Sequence, residues 1–525
     1  MDSKHQSYLE AKFGNRVTFD KTERKLYGHD IAAIPGVLKT VIGGTIPDAV
    51  VQPDSEEELI ELVGWAAENG IPLTPRGKAS SGYGGVLPLK KGVVVDFYRM
   101  NRIVRVDPEA HSATVQAGVV WEKLDRELQR HGLTLRLYPT SYPGSTVGGW
   151  LAQGGAGIGS YEAGWFRDNV LSSRVVVPDG TVQEFRGSEI DLIADAEGIT
   201  GLISEVIVRV QPFEELDVVA IACRDAYDLQ GLAQAIVDEK LPLWSLLFIN
   251  PRMAELKNKA PLMEHYGHPV EDRVLLPQAY IGILTFRMKN REAVTRRLSA
   301  LLKSHGAELL SDQIAQYEWK NRFKLMVVKR LGPSLVPAEV VIPLSALGDV
   351  LTEIERRVRQ PVVKEGLVIR PGSNGRPEVV ILGFIPSDER RFKYNIVFGL
   401  ALTILKIAEK HGGRPYATGL YFTKKAREIL GADRVRLLKE FKAQADPRAI
   451  LNPGKVIANG LIGTALTVGT IFEPLIRPLG NRITAQIGER PTQAVRDIPA
   501  DVAWYAYSCS QCGYCIEECD QFYGR

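Results

Sequence analysis

The cysteines near the carboxyl end have the most specific spacing in this sequence. Four of the five cysteines are Cys509, Cys512, Cys515 and Cys519, which follow the pattern C-x₂-C-x₂-C-x₃-C. Such a run is typical of a [4Fe–4S] cluster, because thiolates are the soft ligands of iron–sulfur centres and two-residue gaps let a turning chain surround one cube. A zinc knuckle is the alternative, and cysteines without a metal are a weaker one. The spacing therefore predicts a one-electron redox centre.

This cysteine run departs from the two-cluster ferredoxin pattern in two respects. Asp520 stands where a proline usually follows, and no second cysteine run comes before Arg525. In two-cluster ferredoxins the fourth cysteine of each run ligates the other cluster. The alternatives stay open: half of a module completed by another polypeptide or lost by truncation, one cluster on all four cysteines, or one unstable cluster.

Two glycine-rich stretches could hold an anionic ligand. Residues 75–85 read Pro-Arg-Gly-Lys-Ala-Ser-Ser-Gly-Tyr-Gly-Gly, and residues 138–161 contain Pro-Gly-Ser-Thr-Val-Gly-Gly. Glycine lets backbone N–H groups turn toward a ligand, although a plain surface loop is the alternative. Neither the P-loop spacing nor G-x-G-x-x-G is present. Ser145 is expected to cap a helix whose free N–H groups would face an anion or a carbonyl.

Strands and helices alternate around these stretches. Ser55 and Glu58 form a capping-box signature for a helix over 55–69, which leads through a short strand into the first glycine-rich stretch. Apolar runs predict further strands and helices at 71–74, 92–97, 113–117, 119–130, 202–210, 280–287, 290–305, 338–344 and 391–411, with an Asp-Gly hairpin within 175–182.

Composition narrows the class of protein. The 525 residues carry a net charge of +3 without a basic arm, so no nucleic-acid partner is expected. The polar amino end and the few cysteines favour a reducing compartment and a cytoplasmic protein. Residues 456–472 lack charge, but a bilayer span needs about 20 mainly apolar residues. We expect a buried or interface segment there, with contact to the inner membrane surface as the alternative.

The ordered motifs resemble a known family. Pro-Arg-Gly, Pro-Gly-Ser-Thr-Val-Gly-Gly, Val-Val-Val-Pro-Asp-Gly and Glu-Gly-Ile-Thr-Gly are similar to the FAD-binding domain of the vanillyl-alcohol oxidase and p-cresol methylhydroxylase flavoproteins, within the branch of D-lactate and glycolate dehydrogenases. The resemblance implies an α+β fold: a two-subdomain PCMH-type FAD-binding domain, an α/β cap with a ferredoxin-like sheet, and a short Fe–S segment. The expected boundaries are an extension 1–43, the FAD-binding domain 44–215, the cap 216–455, a partly apolar linker 456–505 and the Fe–S segment 506–525.

The resemblance also implies the residues that contact FAD. Ala79 stands where members with covalent flavin have a histidine, so non-covalent FAD is expected. The implied cofactor-binding residues are Arg76, Gly77, Lys78, Ala79, Ser80, Ser81, Gly82, Gly84, Gly85, Pro143, Gly144, Ser145, Gly148, Gly149, Gly159, Tyr161, Gly201, Ile207 and Asn452.

The cap lacks two motifs of the related hydroxy-acid dehydrogenases. A histidine-rich motif is absent, and Thr418-Gly419 stands where a Glu-His pair is expected. His411 is interpreted as a helix cap rather than a base. Arg322 follows the family's Trp-x-x-Arg pattern and could grip a carboxylate, or could lie on a solvated helix face. The candidate catalytic residues are Arg322, Arg370, Arg414, Tyr416 and Tyr421.

These observations give one leading hypothesis and two rivals. The first is an FAD-dependent dehydrogenase that oxidises a small 2-hydroxy acid, such as D-lactate or glycolate, and passes electrons to an Fe–S protein or subunit and then to a quinone or a soluble carrier. The second keeps the flavin but takes an alcohol, aldehyde or phenolic donor. The third is an electron-transfer subunit without an organic substrate of its own.

Overall fold

The structure, a computed structural model, describes residues 1–32, 34–260, 264–265, 268–269, 272–324, 328, 334–372, 375–388 and 391–483. The four clustered cysteines and the predicted Fe–S segment 506–525 lie outside the described residues. The described chain combines helices with largely antiparallel sheets. This confirms the predicted α+β fold.

The first subdomain is built on a small sheet of order β1-β2-β4-β3, in which β2 and β3 run parallel to β4. All four residues of β4 are buried, as expected for a strand covered on both faces. Leu9 and Phe13 of α1 enter the same core, so the amino-terminal extension packs on the body. The elements are α1 Ser3–Phe13, β1 Val17–Thr18, α2 Lys21–Leu26, α3 Gly36–Ile42, β2 Ala49–Val51, α4 Glu56–Asn69, β3 Leu73–Arg76 and β4 Val93–Asp96.

Helix α4 begins at the predicted cap with one half of the predicted capping box. The Ser55 hydroxyl accepts from the Glu58 N–H at 3.3 Å. The Glu58 carboxylate accepts from the N–H of Asp54, one residue before the cap, and pairs with Arg16.

The second subdomain is an antiparallel sheet of order β5-β6-β10-β8-β9, with β7 on the end of β10. The predicted Asp-Gly hairpin joins β8 to β9, where Gly180 has a φ of +79°. The elements are β5 Ile103–Asp107, β6 Ser112–Gln116, α5 Trp121–Arg130, β7 Leu133–Leu135, α6 Val147–Gln153, α7 Ser160–Ala163, β8 Val170–Val176, β9 Val182–Arg186 and β10 Leu202–Pro212.

The cap is built on a larger sheet of order β16-β11-β15-β12-β19-β20-β18-β21, with β17 also on β20. Its elements are β11 Leu216–Cys223, α8 Ala226–Asp238, β12 Ser245–Ile249, α9 Pro251–Lys259, β13 Glu264–His265, β14 His268–Pro269, β15 Tyr280–Arg287, α10 Arg291–Ser304, β16 Glu308–Leu309, α11 Asp312–Lys320, β17 Ser334–Pro337, β18 Val340–Pro343, α12 Leu347–Arg357, β19 Val363–Ile369, β20 Glu378–Ser387, α13 Lys393–Lys410 and β21 Arg414–Pro415.

Both faces of the cap sheet are covered. Along β12, Leu246 and Phe248 point into one core, which the cap helices cover, while Leu247 and Ile249 point into a second core on the opposite face. Successive strand residues point to opposite faces, so a strand apolar throughout needs two cores. The second core includes Leu382 and therefore continues to the cleft described below.

The chain then returns to the first domain and crosses the cap again. Lys406 and Thr403 of α13 bond the Glu473 carboxylate of the last helix, with Thr403 donating at 2.7 Å. The remaining elements are α14 Ala426–Leu430, α15 Ala432–Ala445 and α16 Leu461–Arg482. The described part of the expected linker is thus a helix packed on α13. Within the described ranges, no helix is long and apolar enough to cross a bilayer.

Candidate active site

A cleft lies between the first glycine-rich stretch, α6 and the sheet of the cap. The space between its walls, including the part open to solvent, is roughly 1150 Å³. The predicted residues that line it are Gly77, Lys78, Ala79, Ser80, Ser81, Gly82, Gly85, Ser145, Gly149 and Tyr416. A narrower space continues from it past Arg76, Gly148 and Gly201.

The other predicted cofactor residues lie behind or away from this cleft. Tyr161 is buried in the cap core, where its hydroxyl donates to the carbonyls of Ile236 and Leu241. Gly84, Pro143, Gly144, Gly159, Ile207 and Asn452 do not line either space. Their direct contact with FAD stays a prediction.

The loop after β3 owes its shape to a few side chains outside it. Gly84 has a φ of +74°, its N–H donates to Asp30 at 2.7 Å, and a Cβ there would lie 2.9 Å from the Cβ of Leu420. Only glycine fits such a conformation at so close an approach. Asn452 donates to the carbonyls of Gly85 and Glu197, at 2.9 and 2.6 Å, and so holds the loop from beneath.

The start of α6 differs from the sequence-based prediction. Thr146 rather than Ser145 is the cap, since its hydroxyl accepts from the N–H of Gly149, and the Ser145 hydroxyl accepts from Ser141 instead. The N–H groups of Val147 and Gly148 donate to the carbonyls of Val119 and Ala117. The first N–H groups of this helix therefore donate within the protein, to two backbone carbonyls and the Thr146 hydroxyl, and they are not free for an anion.

Three buried ionisable groups lie beneath the loop. Burial raises the pKa of Asp30 to about 6 and that of Glu197 to about 8, and burial lowers the pKa of Lys455 to about 7. The Lys455 ammonium donates to the carbonyl of Leu87 at 2.7 Å. One Glu197 oxygen, Oε1, is buried without a hydrogen-bond partner among the described residues, and Glu197 lines the cleft.

The described cleft fits FAD. The Ser81 hydroxyl is buried there without a partner among the described residues, and Gly77 and Gly85 pack so closely on Thr146 and Glu197 that a Cβ would clash. Because these glycines have no side chains, the loop backbone itself lines the cleft, which suits a cofactor with phosphate groups. The wall formed by the cap sheet is apolar, with Leu335, Pro337, Leu382 and Phe384, and α6 adds Trp150. The polar loop suits the phosphate groups of a flavin dinucleotide, and the apolar wall suits its flavin ring.

Arg76 and Lys78 have other neighbours as well. The Arg76 guanidinium donates to the carbonyls of Leu26, Tyr27 and His29, which fastens the amino-terminal extension to the loop. The Lys78 ammonium lies 5.0 Å from the centre of the Tyr98 ring, toward a second groove.

Two tyrosines and a glutamate lie close together in the cleft. The Tyr83 hydroxyl donates to Glu339 Oε2 at 2.5 Å, and the Tyr416 hydroxyl accepts from the N–H of Ala156 at 3.0 Å. The two tyrosine rings lie 6.3 Å apart. Burial raises the pKa of Glu339 to about 7, while the bond from Tyr83 lowers it, and burial raises the pKa of both tyrosines.

The other four catalytic candidates do not line the cleft. Arg322 stacks on Trp319 at 4.0 Å, Arg370 lies over the Tyr161 ring, and Arg414 lies over Trp165 and 3.5 Å from Glu378. Tyr421 faces a neighbouring apolar cavity that also touches Tyr83 and Glu339. Their catalytic roles stay predictions.

Several residues of the cleft were missed from the sequence. Asp30 comes from the extension, Glu197 from the Glu-Gly-Ile-Thr-Gly motif and Glu339 from the start of an apolar strand. A carboxylate within an apolar strand is a signal that could have singled out Glu339. Among the described residues no group of histidine, cysteine or acidic side chains could hold a metal ion.

Comparison with known proteins identifies the family. Residues 47–186 match the FAD binding domain, and residues 214–456 match the C-terminal domain of FAD linked oxidases. The chain belongs to the FAD-linked oxidase family. Together with the cleft, this makes it an FAD-dependent oxidoreductase.

Individual relatives of this FAD-linked oxidase are distant. It is 25% identical over 470 residues to the mitochondrial D-lactate dehydrogenase [cytochrome] of Arabidopsis thaliana, covering 86% of this chain and 79% of that protein. It is 25% identical over 436 residues to glycolate oxidase subunit GlcD of Bacillus subtilis strain 168, covering 79% and 90%. Alkyldihydroxyacetonephosphate synthase of Trypanosoma brucei brucei is 31% identical over 181 residues, 32% of this chain and 30% of that protein.

Solved structures share its fold. p-Cresol methylhydroxylase with substrate bound superposes with a TM-score of 0.71 at 15% identity, covering 86% of this chain and 96% of that one. An alkyldihydroxyacetonephosphate synthase superposes with a TM-score of 0.65 at 19% identity, covering 86% of each chain.

Proposed function

We propose that this flavoprotein is a dehydrogenase that oxidises a CH–OH group of a small organic donor in the cleft, with Glu339 as the proton acceptor. The observation that carries the proposal is the Glu339 carboxyl, which lines the cleft beside Tyr83 and has a pKa raised to about 7 by burial. A base with a pKa near the working pH is the most effective general base.

The proposed reaction divides the two hydrogens of the donor. FAD, when bound, accepts a hydride, which is the donor's carbon-bound hydrogen with two electrons. Glu339 accepts the hydroxyl proton, so the alcohol carbon becomes a carbonyl. Tyr83 orients the carboxylate through its hydrogen bond, and the neighbouring Tyr416 hydroxyl would hold the donor oxygen.

The leading donor is a 2-hydroxy acid such as D-lactate or glycolate. The names of the two relatives that align over most of this chain, a D-lactate dehydrogenase and a glycolate oxidase subunit, support this choice. Lys78 is the only lysine or arginine among the described residues that line the cleft, and its ammonium lies toward a second groove. To bind the carboxylate of a hydroxy acid, Arg322, Arg370 or Arg414 would therefore have to move into the cleft. That same observation favours a second candidate, a phenolic or other uncharged alcohol bound between Tyr83 and Tyr416.

We further propose that electrons leave through iron and sulfur held by Cys509, Cys512, Cys515 and Cys519, toward an Fe–S partner and a quinone or soluble carrier. The spacing of the cysteines supports this outlet. Non-haem iron and sulfide in the purified chain, lost when Cys512 and Cys515 are changed to Ser, would support this electron outlet.

The domain boundaries 44–215 and 216–455 and a cytoplasmic location, peripheral to the membrane at most, are also part of our proposal.

An anaerobic titration of the flavin absorbance tests the proposal. The FAD-loaded protein would be mixed with D-lactate, glycolate, larger 2-hydroxy acids and 4-hydroxybenzyl alcohol, with dithionite as the control reductant. Bleaching by an acid supports the leading donor, and bleaching by the phenolic alcohol alone supports the second. Bleaching by dithionite and by none of the donors would favour an electron-transfer subunit and overturn the proposal.

A further inference from the structure

Helix α16 presents an uncharged face to solvent along most of its length. Six apolar side chains of this face are between 44% and 74% exposed: Leu461, Val468, Ile471, Phe472, Leu475 and Leu479. Their spacing places them on one side of the helix. This α16 stripe is about 27 Å long at a rise of about 1.5 Å per residue.

The threonine hydroxyls of α16 and the carbonyl of Thr470 are satisfied within the protein. The hydroxyls of Thr464, Thr467 and Thr470 donate to the carbonyls four residues before them, at 3.2, 2.8 and 2.8 Å. Pro474 lacks an N–H, and the carbonyl of Thr470 that it leaves accepts from Lys406 at 3.1 Å. The threonines therefore offer methyl groups to the surroundings, which is how hydroxyl side chains are accommodated in hydrocarbon.

Cations lie at both ends of the stripe. Lys424 is exposed near the first turn of α16, where it bonds Asn459, and Arg482 is exposed at the last turn. Exposed Lys393 begins α13, which runs antiparallel to α16 and so starts near that same end. The one acidic residue of the helix, Glu473, is buried against α13. An apolar face flanked by lysine and arginine is complementary to an anionic lipid surface.

A second copy of the chain is a poorer occupant. A face about 27 Å long and about 10 Å wide covers roughly 300 Å² per chain, or about 600 Å² in a dimer, where stable interfaces bury about 1,200 Å² or more. A bilayer needs no matching surface. We infer that α16 lies in the interfacial layer of an anionic lipid bilayer, with the α16 stripe inserted and the cations among the headgroups.

Vesicle flotation of the FAD-loaded full chain tests this inference. The vesicles would contain phosphatidylcholine with or without phosphatidylglycerol, and the test variant is Ile471→Ser with Leu475→Ser. The matched control is Leu275→Ser with Leu309→Ser, which changes two leucines of the cap that are 67% and 56% exposed. We expect wild type and control to float with anionic vesicles, less so at high salt, and the test variant to lose at least tenfold in partitioning.

Further outcomes separate the other occupants. A second pair, Val468→Ser with Leu479→Ser, replaces the first if that pair lowers Tm, and it should lose flotation equally. Failure of the wild type to float overturns the inference, as does equal flotation of the stripe variants. A dimer in analytical ultracentrifugation that the serine pair dissociates would assign the stripe to a second copy. If the serine variants lower Tm without changing flotation, the α16 stripe instead packs against another part of the same chain.

Discussion

The hydroxyl of Tyr83 donates to Glu339 Oε2 at 2.5 Å and so joins the glycine-rich loop to the cap sheet. The loop belongs to the part that matches the FAD binding domain, and Glu339 belongs to the part that matches the oxidase C-terminal domain. One hydrogen bond therefore links the cofactor side of the cleft to the proposed base.

Tyr83→Phe should shift the pH dependence of flavin reduction upward. The bond from Tyr83 lowers the pKa of Glu339, which otherwise rises through burial, so its loss should raise that pKa further above 7. A hydrogen bond worth about 1–1.5 kcal/mol corresponds to a shift of roughly one pH unit. Stopped-flow reduction by the best donor would measure the shift. Tyr98→Phe, in the separate groove near Lys78, should leave the midpoint unchanged.

Asn452→Ala should loosen the cofactor loop. The substitution leaves the buried carbonyls of Gly85 and Glu197 without their donor, at a cost of about 2–4 kcal/mol in the free energy of unfolding. Urea unfolding and the flavin-to-protein ratio would report the loss. Asn459→Ala removes an exposed asparagine and should change neither quantity; equal effects of both variants would refute the role of Asn452.

The sequence predicted most elements, and the structure shows why it missed others. Strand β15 has the predicted bounds, because its apolar run begins shortly after Pro277 and ends at the charged Arg287. The N-cap residue of helix α6 differs by one position from the prediction. The Ser145 hydroxyl is engaged by Ser141, a contact that composition does not reveal. Glu339 was missed because its partner is 256 residues away along the chain. Site residues that depend on packing between the domains cannot be predicted from local pattern alone.

Glu353→Gln should make the cap less sensitive to acid. Burial raises the pKa of Glu353, but hydrogen bonds from His411 and Lys410 outweigh it and lower that pKa to about 2. A carboxyl with a lowered pKa stabilises the folded state above about pH 4.5 and loses that contribution as the pH falls toward 2. Because Lys410 is well exposed and its interaction is screened by solvent, we expect this contribution to the free energy of unfolding to be about 1–2 kcal/mol.

The measurement for Glu353 is the free energy of unfolding in urea between pH 7 and the lowest pH at which the fold persists. The wild type should lose its advantage over Glu353→Gln as the pH falls through this range. Glu292→Gln, on an exposed helix face, is the control and should behave as the wild type does. A constant difference between wild type and Glu353→Gln at all pH values would contradict this explanation.

Anaerobic stopped-flow reduction of the flavin by its donor, measured across pH in the wild type and in Glu339→Gln, would show whether Glu339 is the proton acceptor. If Glu339 accepts the hydroxyl proton, the wild-type rate rises with pH through about 7 and levels off once the carboxyl is ionised. Glu339→Gln should then lose about 10²–10⁴ in rate at the plateau and lose the rise itself, with its FAD content unchanged. A Glu339→Gln variant that reduces its flavin at the wild-type rate with the same pH profile would exclude Glu339 as the proton acceptor.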